Sequence, residues 1–272
     1  MRYGGNTSCV SVALTDGPAV VLDAGSGLHM LGRTPQVAAR ASANAARDAI
    51  TLLLTHQHSD HVIGLAHFAP LVARSHHVRI ACGGVPAATL RTLVDQQLSA
   101  PLFPTLDGLP EAVRVEAFDR DGVFVLDATH RVVALLAHHP GGAAVLRVDD
   151  AHGALLAYAP DNELAMSRDD ASISAWRASL CDALRGIPVL IHDATYVDDE
   201  LAAHRGWGHS SAEEATRFAM ACEAGTLLLT HHHPARSDDE IDAIVSRCRA
   251  ITAEAGSSLQ IAAASERTPL VV

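Results

Sequence analysis

Aromatic side chains are scarce in this chain, at 4% of its residues, although hydrophobic residues make up 49%. The core must therefore be built mainly from Ala, Val, Leu and Ile. No apolar run approaches the ~20 residues that a helix needs to span a bilayer. The N-terminus also lacks the charged-then-apolar pattern of a signal peptide, and no membrane partner is expected. There is no Cys-x-x-Cys pair: Cys9, Cys82, Cys181, Cys222 and Cys248 are scattered and odd in number. That usage predicts reduced, mostly buried thiols and a cytoplasmic location. Basic residues are short too, with 20 Lys and Arg against 31 Asp and Glu, a formal charge of −11. A protein that binds long nucleic acid presents a basic face, so this balance argues against a polyanionic partner. Repeats, linkers and low-complexity segments are absent. Over 272 residues without a composition break, a single α/β domain, residues 1–272, is expected.

What is present is a cluster of metal-ligand side chains. Ile50 to Leu54 reads as a buried strand, being short, apolar and abruptly ended. It runs into Thr55-His56-Gln57-His58-Ser59-Asp60-His61. Neutral imidazole and carboxylate suit zinc and its first-row neighbours. In a tight loop, His56 and His58 can point one way, Asp60 and His61 another. A polar surface turn has no reason to set four such groups against a fully apolar strand, so a dinuclear metal site is predicted. Val62 to Leu65 then reads as the start of a helix that holds the loop down.

Thr-His-x-His-x-Asp-His after an apolar strand resembles the signature of metallo-β-lactamase-fold hydrolases. The resemblance implies an αββα four-layer sandwich with the metals at one edge of two packed sheets. The opening Tyr3-Gly4-Gly5-Asn6-Thr7-Ser8 resembles more particularly the branch of ribonuclease Z and the cyclic-phosphate phosphodiesterases. There a first strand and a Gly-rich loop usually precede this segment, so an N-terminal strand is expected to be missing. Its absence would leave an exposed sheet edge or one covered by a partner subunit in a homodimer.

In chain order, strands Val10 to Leu14 and Ala19 to Leu22 flank a turn at Asp16-Gly17-Pro18, a hairpin signal. The second ends in Asp23-Ala24-Gly25. The resemblance gives Asp23 the task of bracing the metal loop by hydrogen bonds, against the alternative of an ordinary turn aspartate. An Ala-rich helix is expected over Pro35 to Ile50, a strand over Val78 to Cys82 and a helix over Val85 to Leu98. Pro101-Leu102-Phe103-Pro104 resembles an active-site rim and equally a structural turn. No long basic insertion like the tRNA-holding arm of ribonuclease Z is present.

Further strands end in polar residues. Val132 to Ala137 runs into His138-His139-Pro140-Gly141-Gly142, and the resemblance places the ligand at His139. Ala154 to Ala159 runs into Pro160-Asp161-Asn162-Glu163, where Asp161 resembles the family's bridging aspartate; alone it could be a helix N-cap. A helix over Ser172 to Leu184 leads to Val189-Leu190-Ile191-His192-Asp193-Ala194, which resembles a segment of the phosphodiesterase branch. Gly208-His209-Ser210-Ser211 resembles the His-Ser-Thr element of ribonuclease Z, whose histidine faces the substrate phosphate. It opens a helix with Ser210 or Ser211 as N-cap. Trp207 could stack on a base or pack in the core. Gly225 to Leu229 runs into Thr230-His231-His232-His233, where the family pattern selects His231. A helix from Asp238 to Ala250 and a strand from Leu259 to Ala262 close the chain.

The resemblance thus implies one ion on His56, His58 and His139 and a second on Asp60, His61 and His231, with Asp161 bridging. Zinc is the default, with manganese or iron fitting the same ligands. Histidine at position 58 argues against an iron redox relative. The leading reading is a phosphodiesterase acting on a small, cyclic substrate, with Asp60 orienting the attacking water and His209 as general acid oriented by Asp193. The runner-up is a carboxylic ester, thioester or lactone hydrolase. The third is a non-catalytic binding protein.

Overall fold

The computed structural model describes residues 2–15, 17–34, 37, 50–72, 77–102, 113–164, 171–266 and 268–270. Most of the expected helix at Pro35 to Ile50, the turn residue Asp16 and the loop residues Phe103 and Pro104 lie outside them. The chain forms two compact units, one of Asn6–Arg131 and one of Val132–Val272 with Met1–Gly5.

The first unit carries five strands, β1 (Val10–Ala13), β2 (Ala19–Leu22), β3 (Ile50–Leu54), β4 (Val78–Gly83) and β5 (Val113–Phe118), side by side in chain order. β1 and β2 form the expected antiparallel hairpin, and β2 through β5 pair in parallel. Parallel strands are covered on both faces and read as continuous apolar runs. All five residues of β3 are buried accordingly. β1 ends the sheet. Helices α1 (Gly27–Leu31), α2 (Ser59–Val62), α3 (Ala69–Val72) and α4 (Ala87–Gln97), with a 3-10 turn at Leu65–His67, supply the apolar cover. Leu52, Leu54 and Ile80 pack there with Val62, Leu65, Phe68 and Leu90. A short strand β6 (Val123–Val125) follows. β5 was not expected. Its alternation of apolar Val113 and Val115 with Arg114 and Glu116 is the pattern of a half-covered strand, and Arg79 on β4 donates to both Glu116 oxygens at 3.1 and 3.0 Å.

The second unit has β7 (Arg131–Ala137), β8 (Ala143–Asp149), β9 (Ala154–Ala159), β10 (Val189–Asp193), β11 (Thr226–Thr230) and β12 (Gln260–Ala263). They lie in the order β12-β11-β10-β9-β8-β7. β8 and β9 are antiparallel, while β9 through β12 are parallel. Sequence reading passed over β8, which starts directly after the Pro140-Gly141-Gly142 turn and is interrupted by Arg147. That guanidinium is matched by Asp149 at 2.8 Å and the Ala183 carbonyl at 2.6 Å. Helices α5 (Ala171–Ala183), α6 (Asp198–Leu201), α7 (Ala212–Ala221) and α8 (Asp238–Glu254) complete the unit. Phe218, Ile244, Leu190, Leu227 and Leu229 share its core. The N-terminal segment is pinned to α8: Arg2 donates to Asp239 at 2.7 Å and Asp242 at 2.6 Å.

The cysteines are free, as expected. Burial pushes the Cys82 thiol up to about 12 and the Cys248 thiol up to about 11, which keeps both protonated and inert. No helix among the described residues is long and apolar enough to cross a membrane.

α8 begins with a capping box. Ser237 Oγ accepts from the Glu240 N–H at 3.3 Å and the Glu240 carboxylate accepts from the Ser237 N–H at 2.7 Å. Ser237→Ala should therefore lower the unfolding free energy by ~1 kcal/mol, read as a lower urea midpoint with an unchanged slope. An unchanged midpoint would show that the cap contributes nothing.

Candidate metal centre

A histidine that ligates a metal must present a bare nitrogen, so its other nitrogen needs a hydrogen-bond acceptor. Each unit supplies such acceptors at the ends of its strands.

In the first unit the chain leaves β2 at Asp23, whose φ of 61° is left-handed. That turn buries the carboxylate completely, at 0% exposure, and an unpaired buried carboxylate would be costly. Asp23 accepts from the Thr55 N–H at 2.7 Å and from Thr55 Oγ1 at 3.0 Å. It also accepts from His61 Nδ1 at 2.7 Å. Because the Thr55 hydroxyl hydrogen goes to Asp23, its oxygen accepts from His56 Nδ1 at 3.1 Å. Both imidazoles thereby carry their proton on Nδ1 and present Nε2 as a lone pair. The His56 ring centroid lies 4.4 Å from that of His58 and 4.2 Å from that of His61. An Asp60 carboxylate oxygen lies 3.3 Å from His61 Nε2. His56, His58, Asp60 and His61 are thus gathered on one short loop. Its backbone is stitched to Asp23-Ala24-Gly25 by Ala24 N–H to His61 O and Gly64 N–H to Ala24 O, both 2.8 Å. A Cβ at Gly25 would meet the Asp60 carbonyl at 2.3 Å, so only glycine allows this approach. Asp23 thus joins the loop at Thr55 and at His61.

In the second unit Asp193, at the end of β10 and 0% exposed, repeats the arrangement. It accepts from His209 Nδ1 at 2.8 Å, from the Thr195 N–H at 2.9 Å and from Thr195 Oγ1 at 2.8 Å. Thr195 Oγ1 accepts in turn from His231 Nδ1 at 3.0 Å. His231 follows β11 with φ 56°, a conformation that side-chain-bearing residues rarely adopt and that concentrates at functional sites. His139 Nδ1 donates to the Gly208 carbonyl at 3.0 Å.

His139 Nε2 then lies 3.5 Å from one Asp161 oxygen, and His231 Nε2 lies 3.2 Å from the other. With Nδ1 protonated on both rings, each contact sets a lone pair against a carboxylate oxygen. Such contacts repel unless a cation or proton lies between them. Imidazole and carboxylate are also the donor set that zinc takes. The residues fit divalent metal, and Asp161 presents one oxygen to each of two imidazoles. Donor atoms of Asp161, His209 and His231 lie within 4.8 Å of one another. Burial opposes a charge on His209, but the Asp193 hydrogen bond and charge, with the Asp161 charge, outweigh it and raise its pKa.

The other histidines of these segments point elsewhere. His232 faces the Tyr3 ring at 6.3 Å, and burial, then the neighbouring His231, lower its pKa to about 4. His233 faces Tyr196, and His138 faces Trp176. Ser211 is the cap of α7, accepting from the Glu214 N–H at 3.0 Å. Ser210 instead donates to the Asn162 carbonyl at 2.6 Å.

Sequence reading assigned nothing to Thr55, Thr195, Asn162, Glu163 or His192. Asn162 Oδ1 accepts from the His138 N–H at 3.0 Å, and its amide lies 3.1 Å from His192 Nε2. His192 Nδ1 donates to the Asp193 carbonyl at 3.0 Å. This leaves Nε2 as acceptor for the Asn162 NH₂, and burial lowers the His192 pKa, consistent with a neutral ring. The Glu163 carboxylate accepts from Gly206 N–H at 2.9 and 3.0 Å and from Gly208 N–H at 2.9 Å. The signal available was position alone: each lies within four residues of a strand end.

His231→Ala should lose bound metal, whereas His232→Ala should retain it, as read by metal analysis after zinc loading and desalting. Retention by His231→Ala with loss by His232→Ala would mean that the neighbouring imidazole is the ligand.

Residues 19–232 match the family described as Beta-lactamase superfamily domain. A ribonuclease Z from an Exiguobacterium species is 38% identical over 64 residues, which is 22% of this chain and 21% of that protein. The chain spans about a fifth of the length of the first curated relatives it matches. Among solved structures, the metallo-β-lactamase fold protein YhfI from Bacillus subtilis has a TM-score of 0.68 at 19% identity, covering 97% of this chain and 94% of that one. The short form of human tRNase Z has a TM-score of 0.56 at 21% identity, covering 84% and 86%. With its family match running from β2 to the histidines after β11, the chain belongs to the β-lactamase superfamily, a family of metallohydrolases with the metallo-β-lactamase fold.

Proposed function

We propose that this protein is a metal-dependent phosphodiesterase that hydrolyses a small, cyclic phosphodiester. The observation that carries the reading is His209, held through Nδ1 by the buried Asp193 at 2.8 Å and with a ring nitrogen within 4.8 Å of donor atoms of Asp161 and His231. A carboxylate-oriented imidazole beside metal ligands is placed to give a proton. Alkoxide departure from phosphorus at neutral pH needs one, and imidazole is the side chain best matched to give it. The Gly208-His209-Ser210-Ser211 element and the ribonuclease Z matches favour the same bond class over carboxylic ester, thioester or lactone cleavage.

The family pattern supplies two ligand sets, His56, His58 and His139 for one divalent ion and Asp60, His61 and His231 for the other, with Asp161 shared. Zinc is the first choice by donor type, and manganese or iron suits the same groups. Bound, the ions supply a water activated at neutral pH and positive charge for the phosphoryl oxygens. Asp60 would hold one ion and, as a hydrogen-bond acceptor, would orient the attacking water. By accepting from Nδ1–H, Asp193 favours the imidazolium form of His209, whose Nε2–H would supply the proton to the leaving oxygen. The formal charge of −11 supports a small substrate over long nucleic acid, which would require several Lys or Arg contacts.

The test is a rate panel on zinc-loaded protein at low and moderate salt. Cyclic nucleotides and bis-aryl phosphodiesters should be cleaved with weak salt dependence, and thioesters, lactones and cephalosporins poorly. Efficient thioester or lactone cleavage without diester cleavage would overturn the reading. So would efficient cleavage of tRNA precursors that is steeply lost with salt.

His209→Ala should keep its metal yet lose roughly 10²- to 10⁴-fold in rate on diesters with an alkoxide leaving group. With p-nitrophenolate, which leaves unprotonated, the loss should be much smaller. Equal losses on both would leave His209 only a positioning task, and loss of an ion would make it a ligand.

A further inference from the structure

The segment Gly206-Trp207-Gly208 is anchored more firmly than a surface loop requires. Glu163, at 0% exposure, accepts from the N–H groups on both sides of Trp207. The two glycines have φ of 84° and 86°. A Cβ at Gly208 would lie 2.2 Å from His139 Nδ1, so the backbone rests directly against a predicted ligand and accepts its proton. Glu163 is itself fixed by its N–H to the His138 carbonyl at 2.9 Å. A buried carboxylate and two left-handed glycines thus hold this tripeptide. Yet the indole that it carries is 60% exposed, which disposes of the core-packing alternative for Trp207.

Among the described residues the indole has one ring contact. His204 meets it edge-to-face at 5.0 Å and 89°, and His204 is stacked on Tyr196 at 4.3 Å and 16°. One T-shaped contact occupies at most one ring face. Two residues further on is His209, and two residues of extended chain span at most roughly 7 Å. A group carried one sugar away from a phosphate at His209 would fall within reach of the indole.

We propose that Trp207 is a stacking platform for a flat aromatic base on the substrate, which makes the substrate a nucleoside phosphodiester and not a cyclic phosphate of a simple polyol. The proposal rests on the phosphodiesterase reading for its catalytic arm. Every base offers a π face, so a single rigid indole selects for the presence of a base without selecting among bases. An aliphatic sugar or glycerol phosphate gains nothing comparable from it. The acidic surface favours a single nucleoside over a polymer, which would need counter-charges along its length. Glu163 is the positioning residue that keeps the indole pointing outward.

The test compares wild type, Trp207→Ala and Trp207→Phe as full-length, zinc-loaded protein on a nucleoside 2′,3′-cyclic phosphate and on glycerol 1,2-cyclic phosphate. Trp207→Ala should raise KM for the nucleotide roughly 5- to 100-fold with kcat little changed. Trp207→Phe should recover much of the loss, and the glycerol substrate should be unaffected by either change. Independently of turnover, a nucleoside monophosphate should quench wild-type indole fluorescence saturably, and Trp207→Ala should abolish the quench. Equal KM changes on the two substrates, or a quench that survives in Trp207→Ala, would overturn the subsite while leaving diester hydrolysis standing. Failure of the wild type to cleave either diester would instead sink the phosphodiesterase reading, and the quench would still decide the subsite. A choline phosphodiester that binds as well as the nucleotide and loses as much in Trp207→Ala would mark a cation site and would also overturn the proposal.

Discussion

An imidazole can give a lone pair to a metal only if its second nitrogen keeps a proton and finds an acceptor for it, and that requirement organises the polar core of each unit around one buried carboxylate. Asp23 takes the Nδ1 proton of His61 directly and that of His56 through the Thr55 hydroxyl. Asp193 takes that of His209 directly and that of His231 through the Thr195 hydroxyl. The same carboxylate–threonine–imidazole relay therefore occurs once in each unit, at the end of a buried parallel strand. A short acid at a strand end can be covered by the next strand, and there its cost is offset by three or four hydrogen bonds. The left-handed turns at Asp23 and His231 belong to the same design. Each re-aims a side chain that regular strand geometry would send to the wrong face.

Asp161, Asn162 and Glu163 show how closely the second unit ties its parts together. These three successive buried residues serve different tasks. Asp161 faces the Nε2 atoms of His139 and His231. Asn162 joins the His138 backbone to His192, and Glu163 secures the Gly206–Gly208 backbone. Removing Asn162 or Glu163 would leave buried donors or acceptors unpaired, a larger loss than the net worth of a hydrogen bond.

The strands that lead to the candidate ligands were legible because each is a short apolar run followed closely by histidine or aspartate, as β3, β7, β9 and β11 are. The choice of His231 over His232 followed from the family pattern alone; His231 Nε2 lies 3.2 Å from Asp161, while His232 faces Tyr3. β5 and β8 escaped notice, since charged residues interrupt both and their partners, Arg79 and Asp149, are visible only after folding. Thr55 and Thr195 were quoted without a task because a hydroxyl relay is a matter of direction, which residue type does not reveal. For Trp207 the residues alone left two readings open. Its 60% exposure excludes the core reading, and the hold on its backbone was not legible because Glu163 lies 43 or more positions away from the glycines it holds.

Function then reduces to whether this protein holds two ions, since Asp161 has a bridging task only if it does. The most direct measurement is metal content per chain on protein loaded with zinc and freed of excess, with anomalous diffraction to locate the ions. The account predicts two equivalents, with peaks about 3.5 to 4 Å apart. A content that never exceeds one equivalent, under zinc or manganese loading alike, would contradict it.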